Sequence, residues 1–260
     1  MRMTVLLVAI FWIGPLWAMP IATEVALPVA RDQGIVRIKS TVNSESQTTT
    51  NLFALGYGLH ADTTLIVMLP YMHSSETSGL SDVPILMRQT LIKSDGHLRT
   101  LRLAALGGIE IPTWRDSISQ KNVGLRAGSV FTFQSNRHEV DADLIYSHKI
   151  PSGDFNKGNA LAYDLAYQFR FYPWALAEEG ASSQWNLDFE LNGAYEARDK
   201  LGGSEVAATG GQHLYFSSGI QWVTTSIVLE ALYQIPIVNQ LNGDRSLGHQ
   251  FIVSFRSLVF

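Results

Sequence analysis

The sequence has no cysteine among its 260 residues. This absence excludes a disulfide framework and a thiolate metal site. The seven histidines show no spacing typical of zinc ligands, so we expect neither a metal nor another cofactor. Basic residues are not clustered and the formal net charge is -4, which gives no reason to expect a nucleic-acid partner.

Long apolar runs are missing after the first residues. A membrane-spanning helix needs about twenty predominantly apolar residues, and no later charge-free run approaches that length. If the chain crosses a membrane, we therefore expect it to cross as strands.

Residues 1–18 resemble a secretory signal peptide. Arg2 gives a positive start, an apolar run covers residues 4–17, and Ala18 is a small residue suited to precede cleavage. Ala22 is a second candidate for the cleavage position. The run is short for a transmembrane anchor, which is the alternative interpretation. Residues 19–33 contain two prolines and no periodicity, and we interpret them as a short periplasmic lead.

Residues 34–260 alternate between apolar and polar side chains, and the stretch 185–196 (WNLDFELNGAYE) shows this most clearly. Its apolar side chains occupy odd-numbered positions and most of its polar ones even-numbered positions, which indicates a β-strand. A soluble β-sandwich would alternate in the same way. The stretch is longer than the usual strand of about five or six residues, and similar stretches recur to the end of the chain. Long strands with one apolar face are typical of outer-membrane barrels.

The pattern predicts an all-β fold, a transmembrane antiparallel up-and-down barrel of about twelve strands. Tight turns alternate with long polar loops, except at 173–184. With both termini in the periplasm, Thr77, Asp116, Asn156 and Gly203 are predicted outside the cell, and Asp95 and Asn136 at the periplasmic end. The strands are predicted at 35–43, 51–59, 63–73, 83–93, 99–112, 123–134, 138–150, 161–172, 185–196, 213–223, 226–236 and 250–260.

The last strand ends in Phe260, which resembles the C-terminal signal read by the barrel-assembly machinery. If Arg256 faces the lumen, because a cation facing lipid is costly, then Phe260 falls on the same side. A bulge near Ser257 and Leu258 would restore the outward position of Phe260. We expect three kinds of partner, namely outer-membrane lipid, the assembly machinery and small solutes.

Three short motifs carry a resemblance to a bacterial family: GYGLHADTTLIVMLPY, RLAALGGIEIPTW and ALYQIPIV. They resemble segments of the outer-membrane barrels known as the phenol meta-pathway degradation (MetA) family. The resemblance covers most of the chain after the signal peptide. It implies a Gram-negative outer-membrane channel or transporter for small solutes, aromatic or hydrophobic ones among them. It supplies no catalytic residues. Trp114 follows Ile-Pro-Thr where the family more usually has glycine.

The strand parity directs many charged side chains into the lumen. Basic residues concentrate on strands one, four, five, six and twelve, and acidic residues on strands seven to nine. Walls of opposite sign would orient polar solutes, and the acidic surplus predicts a weak cation preference. The alternative is that these charges pair and fill the barrel, since a twelve-stranded barrel lies between filled and open ones. The predicted lumen residues are Arg37, Lys39, Arg88, Arg102, Arg126, Asp141, Asp143, Asp164, Arg170, Asp188, Glu190, Glu230 and Arg256, with Glu110, Glu139 and Lys149.

Two other functional classes remain open. An outer-membrane lipid hydrolase would need a nucleophile beside a base on the outer wall. Ser147 and His148 are adjacent and point to opposite faces of one strand, so they cannot pair. We therefore expect no enzyme. A structural or adhesive barrel would act through its loops, of which 197–212 has the Gly-rich composition of a mobile loop.

Overall fold

The computed structural model describes residues 19–113, 122–151, 153–174, 182–243 and 245–259. Residues 1–18, Asp116 and Phe260 lie outside these ranges, so the predictions made for them stay predictions. Twelve long strands form one antiparallel sheet, and β1 pairs with both β2 and β12 while β2 pairs with β3, which closes the barrel. The strands are β1 (Gly34–Asn43), β2 (Thr49–His60), β3 (Thr63–His73), β4 (Val83–Gly96), β5 (Arg99–Ile111), β6 (Gly124–Ser135), β7 (His138–Lys149), β8 (Ala160–Tyr172), β9 (Ser183–Glu196), β10 (Gly211–Thr224), β11 (Ile227–Leu241) and β12 (Gln250–Leu258).

The predicted twelve-stranded barrel is confirmed, and most strand ends agree within a few residues. The prediction misses four short strands that lie in loops: Ser78–Leu80, Phe155–Asn156, Lys200–Leu201 and Ser204–Glu205. Among the residues that the structure describes, no helix is long and apolar enough to cross a bilayer.

The outer face of the barrel is a belt of exposed apolar side chains. On β8, Leu165 is 47% exposed, whereas the inward Gln168 is 1% exposed. Leu144, Phe189 and Leu229 continue the exposed belt on other strands. So large an apolar surface would be unfavourable in water, and it suits the hydrocarbon layer of a membrane.

Replacing Leu165 with arginine is expected to reduce the free energy of unfolding from lipid by roughly 2–4 kcal/mol, because the cation would face hydrocarbon. The matched controls are Leu165→Met, which adds no charge, and Ala162→Arg, which places the cation on the inner face of the same strand. Urea unfolding in lipid vesicles measures all three. Equal losses for the two arginine variants would contradict the assigned parity of β8.

The two ends of the barrel differ in the length of their connections. Two-residue turns at 61–62, 97–98, 136–137 and 225–226 lie at one end, together with the start of β1 and the end of β12. The opposite end carries the long loops. Two of these loops meet in a small sheet in which Phe155–Asn156 pairs with the hairpin formed by Lys200–Leu201 and Ser204–Glu205.

The loop 197–212 makes several hydrogen bonds and an ion pair with the neighbouring loop and within itself. The buried Asp199 carboxylate accepts a hydrogen bond from the Gly158 amide at 2.8 Å and pairs with Lys157 at 3.3 Å. The Asp199 amide donates to the Thr209 hydroxyl at 2.8 Å. These contacts attach the loop to the neighbouring one, and its mobility stays a prediction.

The last strand is regular, which corrects the expectation of a bulge. β12 pairs with β1 residue by residue from Gln250 opposite Asn43 to Leu258 opposite Ile35. The described residues therefore continue the alternation through Ser257, and Arg256 is buried on the inner side.

Candidate functional site: the barrel lumen

Residues 19–30, here called the lumen segment, run along the inside of the barrel wall. Ile21 and Ala26 are 0% exposed. The segment starts beside β12, where Arg256 donates to the Met19 carbonyl at 2.8 Å, and it reaches β3, where the Val29 amide donates to the Thr64 hydroxyl at 3.0 Å. The sequence analysis assigns residues 19–33 to a short periplasmic lead, whereas the structure places most of them within the barrel.

Glu190 on β9 holds the first part of the lumen segment. Its carboxylate accepts three consecutive backbone amides, those of Ile21 at 2.7 Å, Ala22 at 2.9 Å and Thr23 at 2.7 Å. It also accepts the Thr23 hydroxyl at 2.6 Å and the Asn192 side-chain amide at 3.2 Å. A buried carboxylate is costly unless donors surround it. The segment supplies these donors, so Glu190 and the segment stabilise each other.

Further inward side chains bind the rest of the segment. Arg88 on β4 donates from Nη2 to the Leu27 carbonyl at 2.6 Å and from Nη1 to the Val25 carbonyl. Because extended backbone carries unpaired amides and carbonyls, each one buried in the lumen needs such a partner. Two more amides find acceptors: Glu24 N donates to Asp143 Oδ2 at 2.9 Å, and Ala26 N to Thr132 Oγ1 at 2.9 Å.

One part of the inner wall is apolar, which the sequence analysis does not predict. Ala26 of the lumen segment packs against inward side chains of β3 to β6, namely Ile66, Leu86, Ala104, Leu106 and Val130. In the alternating pattern, these apolar residues occupy the same inward-facing positions as the charged residues. The apolar contact and the hydrogen bonds together hold the segment against the wall.

Ion pairs account for several of the predicted lumen charges. Glu230 pairs with Arg37 at 3.0 Å and at closer range with Arg256. Glu110 pairs with Arg126 at 2.7 Å and Lys149 at 2.8 Å. The sequence analysis places Lys149 on the acidic wall of strands seven to nine, but its ammonium reaches across β6 to β5. Charge pairing inside the barrel, expected as an alternative, is therefore substantial.

The acidic wall contrasts with these paired groups. Asp143 on β7 lies opposite Asp164 on β8 in the sheet register, and Asp188 and Glu190 follow on β9. None of these carboxylates takes part in an ion pair among the described residues. Asp188 accepts the Ile21 amide at 3.3 Å instead. Backbone amides of the lumen segment thus replace cations along much of this wall.

A cavity of about 260 Å³ lies on the long-loop side of the lumen segment. Ala22 contributes to its lining, and Lys39 on β1 and Asp164 on β8 line its walls. A second cavity, beside Glu139 and Gln168 near the short turns, measures only about 30 Å³, enough for about one water. Of these two cavities, the one at the long-loop end is much the larger.

The predicted lumen residues differ in their surroundings. Of this set, only Lys39 and Asp164 line the larger cavity. Arg102 pairs with Asp95 at 2.6 Å near a short turn. Within the described ranges, no group of histidine, aspartate and glutamate side chains is arranged to hold a metal ion. The buried members of the predicted set are Arg88, Asp141, Asp143, Arg170, Asp188, Glu190, Glu230 and Arg256, and the half-buried ones are Arg37, Lys39, Arg102, Arg126 and Asp164.

Comparison with known proteins identifies the type of barrel. No family model matches the chain, and no curated protein matches it. Among solved structures, the chain is similar to the COG4313 outer membrane channel from Pseudomonas putida F1, with 14% identity and a TM-score of 0.68 over 93% of this chain and 100% of that one. It is also similar to the NanC porin, with 11% identity and a TM-score of 0.55 over 86% of this chain and 100% of that one. These likenesses show an outer-membrane barrel fold.

Proposed function

We propose that the chain is an outer-membrane channel for small solutes whose passage is controlled by its own lumen segment. The observation that carries this proposal is the hydrogen-bonded segment inside a barrel with an apolar outer face and a polar lumen. A purely structural barrel could be filled by side chains alone, as smaller barrels are. Here a separate stretch of backbone, which precedes β1, occupies the interior. The solved barrels that it resembles are named as a channel and a porin.

The solute class is part of the proposal. The resemblance to the MetA family implies aromatic or hydrophobic solutes. The larger cavity favours polar ones, because Lys39, Asp164, Asn192, Gln234 and Gln250 all line it. We therefore propose a narrow channel for small polar solutes, with the phenol-pathway assignment resting on the short motifs alone. We propose no catalytic activity, and a barrel that acts only through its loops is the remaining alternative.

Recordings in planar bilayers test the channel. We expect low conductance with brief openings, and a weak cation preference in salt-gradient reversal potentials because no described cation pairs with the carboxylates of the acidic wall. Asp164→Asn is expected to reduce that preference, whereas Asp188→Asn is not, since the lumen segment covers Asp188. If neither the wild type nor a variant lacking residues 19–30 conducts, the chain is a structural barrel instead.

Export through a cleaved signal peptide belongs to the same proposal, and the lumen segment favours cleavage after Ala18. Cleavage after Ala22 would remove the Ile21 and Ala22 amides that Glu190 accepts. Intact-mass measurement of protein extracted from outer membranes is expected to find Met19 as the first residue. A mature chain starting at Thr23 would contradict the assignment and would leave Glu190 with fewer donors.

We propose that lipid surrounds the exported barrel and that the assembly machinery inserts it through the strand ending at Phe260.

A further inference from the structure

The larger cavity carries two charged groups of opposite sign on walls that lie far apart around the barrel. Lys39 lies on β1 and Asp164 on β8, five strands away in the order β1, β12, β11, β10, β9, β8. Both side chains line the same space of about 260 Å³. A ligand in this cavity therefore meets a cation on one side and a carboxylate on the other.

The Lys39 ammonium has the carboxylates of Glu24, Glu190 and Glu230 within electrostatic range but makes no direct contact with them. In the part of the chain that the structure describes, its ammonium makes neither a hydrogen bond nor an ion pair. The neighbouring inward cation on β1 behaves differently, because Arg37 pairs with Glu230 at 3.0 Å. An unpaired ammonium in a partly enclosed space attracts a carboxylate or another anionic group.

The opposite wall has an excess of carboxylate groups. Asp164 accepts a hydrogen bond from the Asn192 side-chain amide at 3.3 Å and lies opposite Asp143 in the register of β7 and β8. No described residue donates a hydrogen bond to the buried Oδ1 atom of Asp143. Neither aspartate pairs with a cation among the described residues. This wall therefore favours a ligand that brings a positive charge.

Neutral polar groups lie between the two charges. Gln234 donates from Nε2 to Asn192 Oδ1 and to the Ser217 hydroxyl, both at 2.9 Å, which directs its amide nitrogen into the protein. Gln250 donates to the Tyr215 hydroxyl at 3.1 Å. Their amide oxygens remain as acceptors, and the buried Nδ1 atom of His213 has no hydrogen-bond partner within the described ranges. These groups suit the amide or hydroxyl of a ligand side chain.

We propose that this cavity is a binding site for a small zwitterion of the amino-acid type, with its carboxylate toward Lys39 and its ammonium toward Asp164. The volume is just below the range of roughly 300–1,000 Å³ for drug-sized ligands, so it suits a ligand of about ten non-hydrogen atoms or fewer. An ammonium group on the ligand would give the Asp164 carboxylate an ion-pair partner. The inference rests on the proposed function for its route of entry, since the ligand would reach the site as a solute of the channel.

Binding to the detergent-solubilised full chain tests the site. Calorimetric titration with L-serine and L-glutamine is expected to show one site. Two analogues, glutaramic acid without the amino group and 4-aminobutanamide without the carboxylate, are each expected to bind at least about tenfold more weakly. Lys39→Gln and Asp164→Asn should each weaken glutamine binding by a similar factor. The matched controls, Lys200→Gln and Glu76→Gln, change exposed loop residues and should bind like the wild type.

Three results would overturn the site: neither amino acid binds, the analogues bind as well as glutamine, or the cavity variants bind like the loop controls. Conductance recorded from the same preparation separates this inference from the proposed function. If the barrel conducts but binds no zwitterion, the proposed binding site is refuted and the proposed channel function stands. If the barrel binds glutamine through Lys39 and Asp164 but never conducts, the proposed binding site stands and the proposed channel function is refuted.

Discussion

Replacing Glu190 with alanine is expected to raise the mean conductance of the barrel at least about tenfold. The substitution removes the acceptor for three consecutive amides and one hydroxyl of the lumen segment. Each buried donor left unsatisfied costs roughly 1–3 kcal/mol, and each 1.4 kcal/mol is about a tenfold change in an equilibrium constant. The conformation in which residues 19–23 are bound to the wall should therefore no longer be lower in free energy than conformations in which they leave the lumen. Single-channel recordings measure the effect as longer or larger openings.

Two further variants separate displacement of the segment from a general disturbance of the barrel. Glu76→Ala removes a carboxylate from an exposed long loop and should leave the conductance unchanged. In the Glu190→Ala background, Ala26→Cys with Thr132→Cys offers a tether where the Ala26 amide already meets the Thr132 hydroxyl at 2.9 Å. The native chain has no cysteine, so oxidation should link this pair alone and lower the conductance, and reduction should restore it. If oxidation and reduction of the cysteine pair leave the conductance unchanged, the segment does not lie in the ion path.

The barrel itself was predictable from the sequence because its signal is local. Alternation along β8 or β9 depends only on which face each residue occupies, and one face meets lipid along the whole strand. Exposed Leu165 and buried Gln168 follow that parity. The number of strands also follows from this alternation, and the lengths of the intervening segments distinguish short turns from long loops. The connection between β8 and β9 is the exception that the sequence analysis also names, because the strand ends that it joins lie at the short-turn end although ten residues separate them.

The contents of the lumen were not predictable in the same way. Residues 19–30 have no period, because their partners come from many strands, and Ile21 and Glu190 are separated by 169 positions in the chain. Parity indicates that Lys149 faces inward, but the choice of Glu110 as its partner depends on distances across the barrel. A useful signal was nevertheless present. An excess of inward carboxylates on adjacent strands requires donors, and a preceding stretch with no structure of its own has free backbone amides to supply them.

Replacing Glu230 with alanine is expected to reduce the free energy of unfolding by about 3–5 kcal/mol, the usual cost of breaking a buried ion pair from one side. The Glu230 side chain is 0% exposed and pairs with both Arg37 and Arg256. Its removal would leave two guanidinium groups in the lumen without a counter-charge. Both of them also donate to the lumen segment, Arg37 to the Ile21 carbonyl and Arg256 to the Met19 carbonyl. The loss should therefore appear in barrel stability and in the anchoring of the segment.

Equilibrium unfolding in lipid vesicles gives the stability, and Glu205→Ala is the matched control. Glu205 forms an exposed pair with Arg198 at 3.3 Å, and such surface pairs contribute only about 0–1 kcal/mol. A double variant, Glu230→Ala with Arg256→Ala, should lose less than the sum of the two single variants, because it leaves only Arg37 unpaired. If Glu230→Ala costs no more than Glu205→Ala, or if the two single losses add, water screens these charges in an open lumen and the paired cluster does not hold the segment.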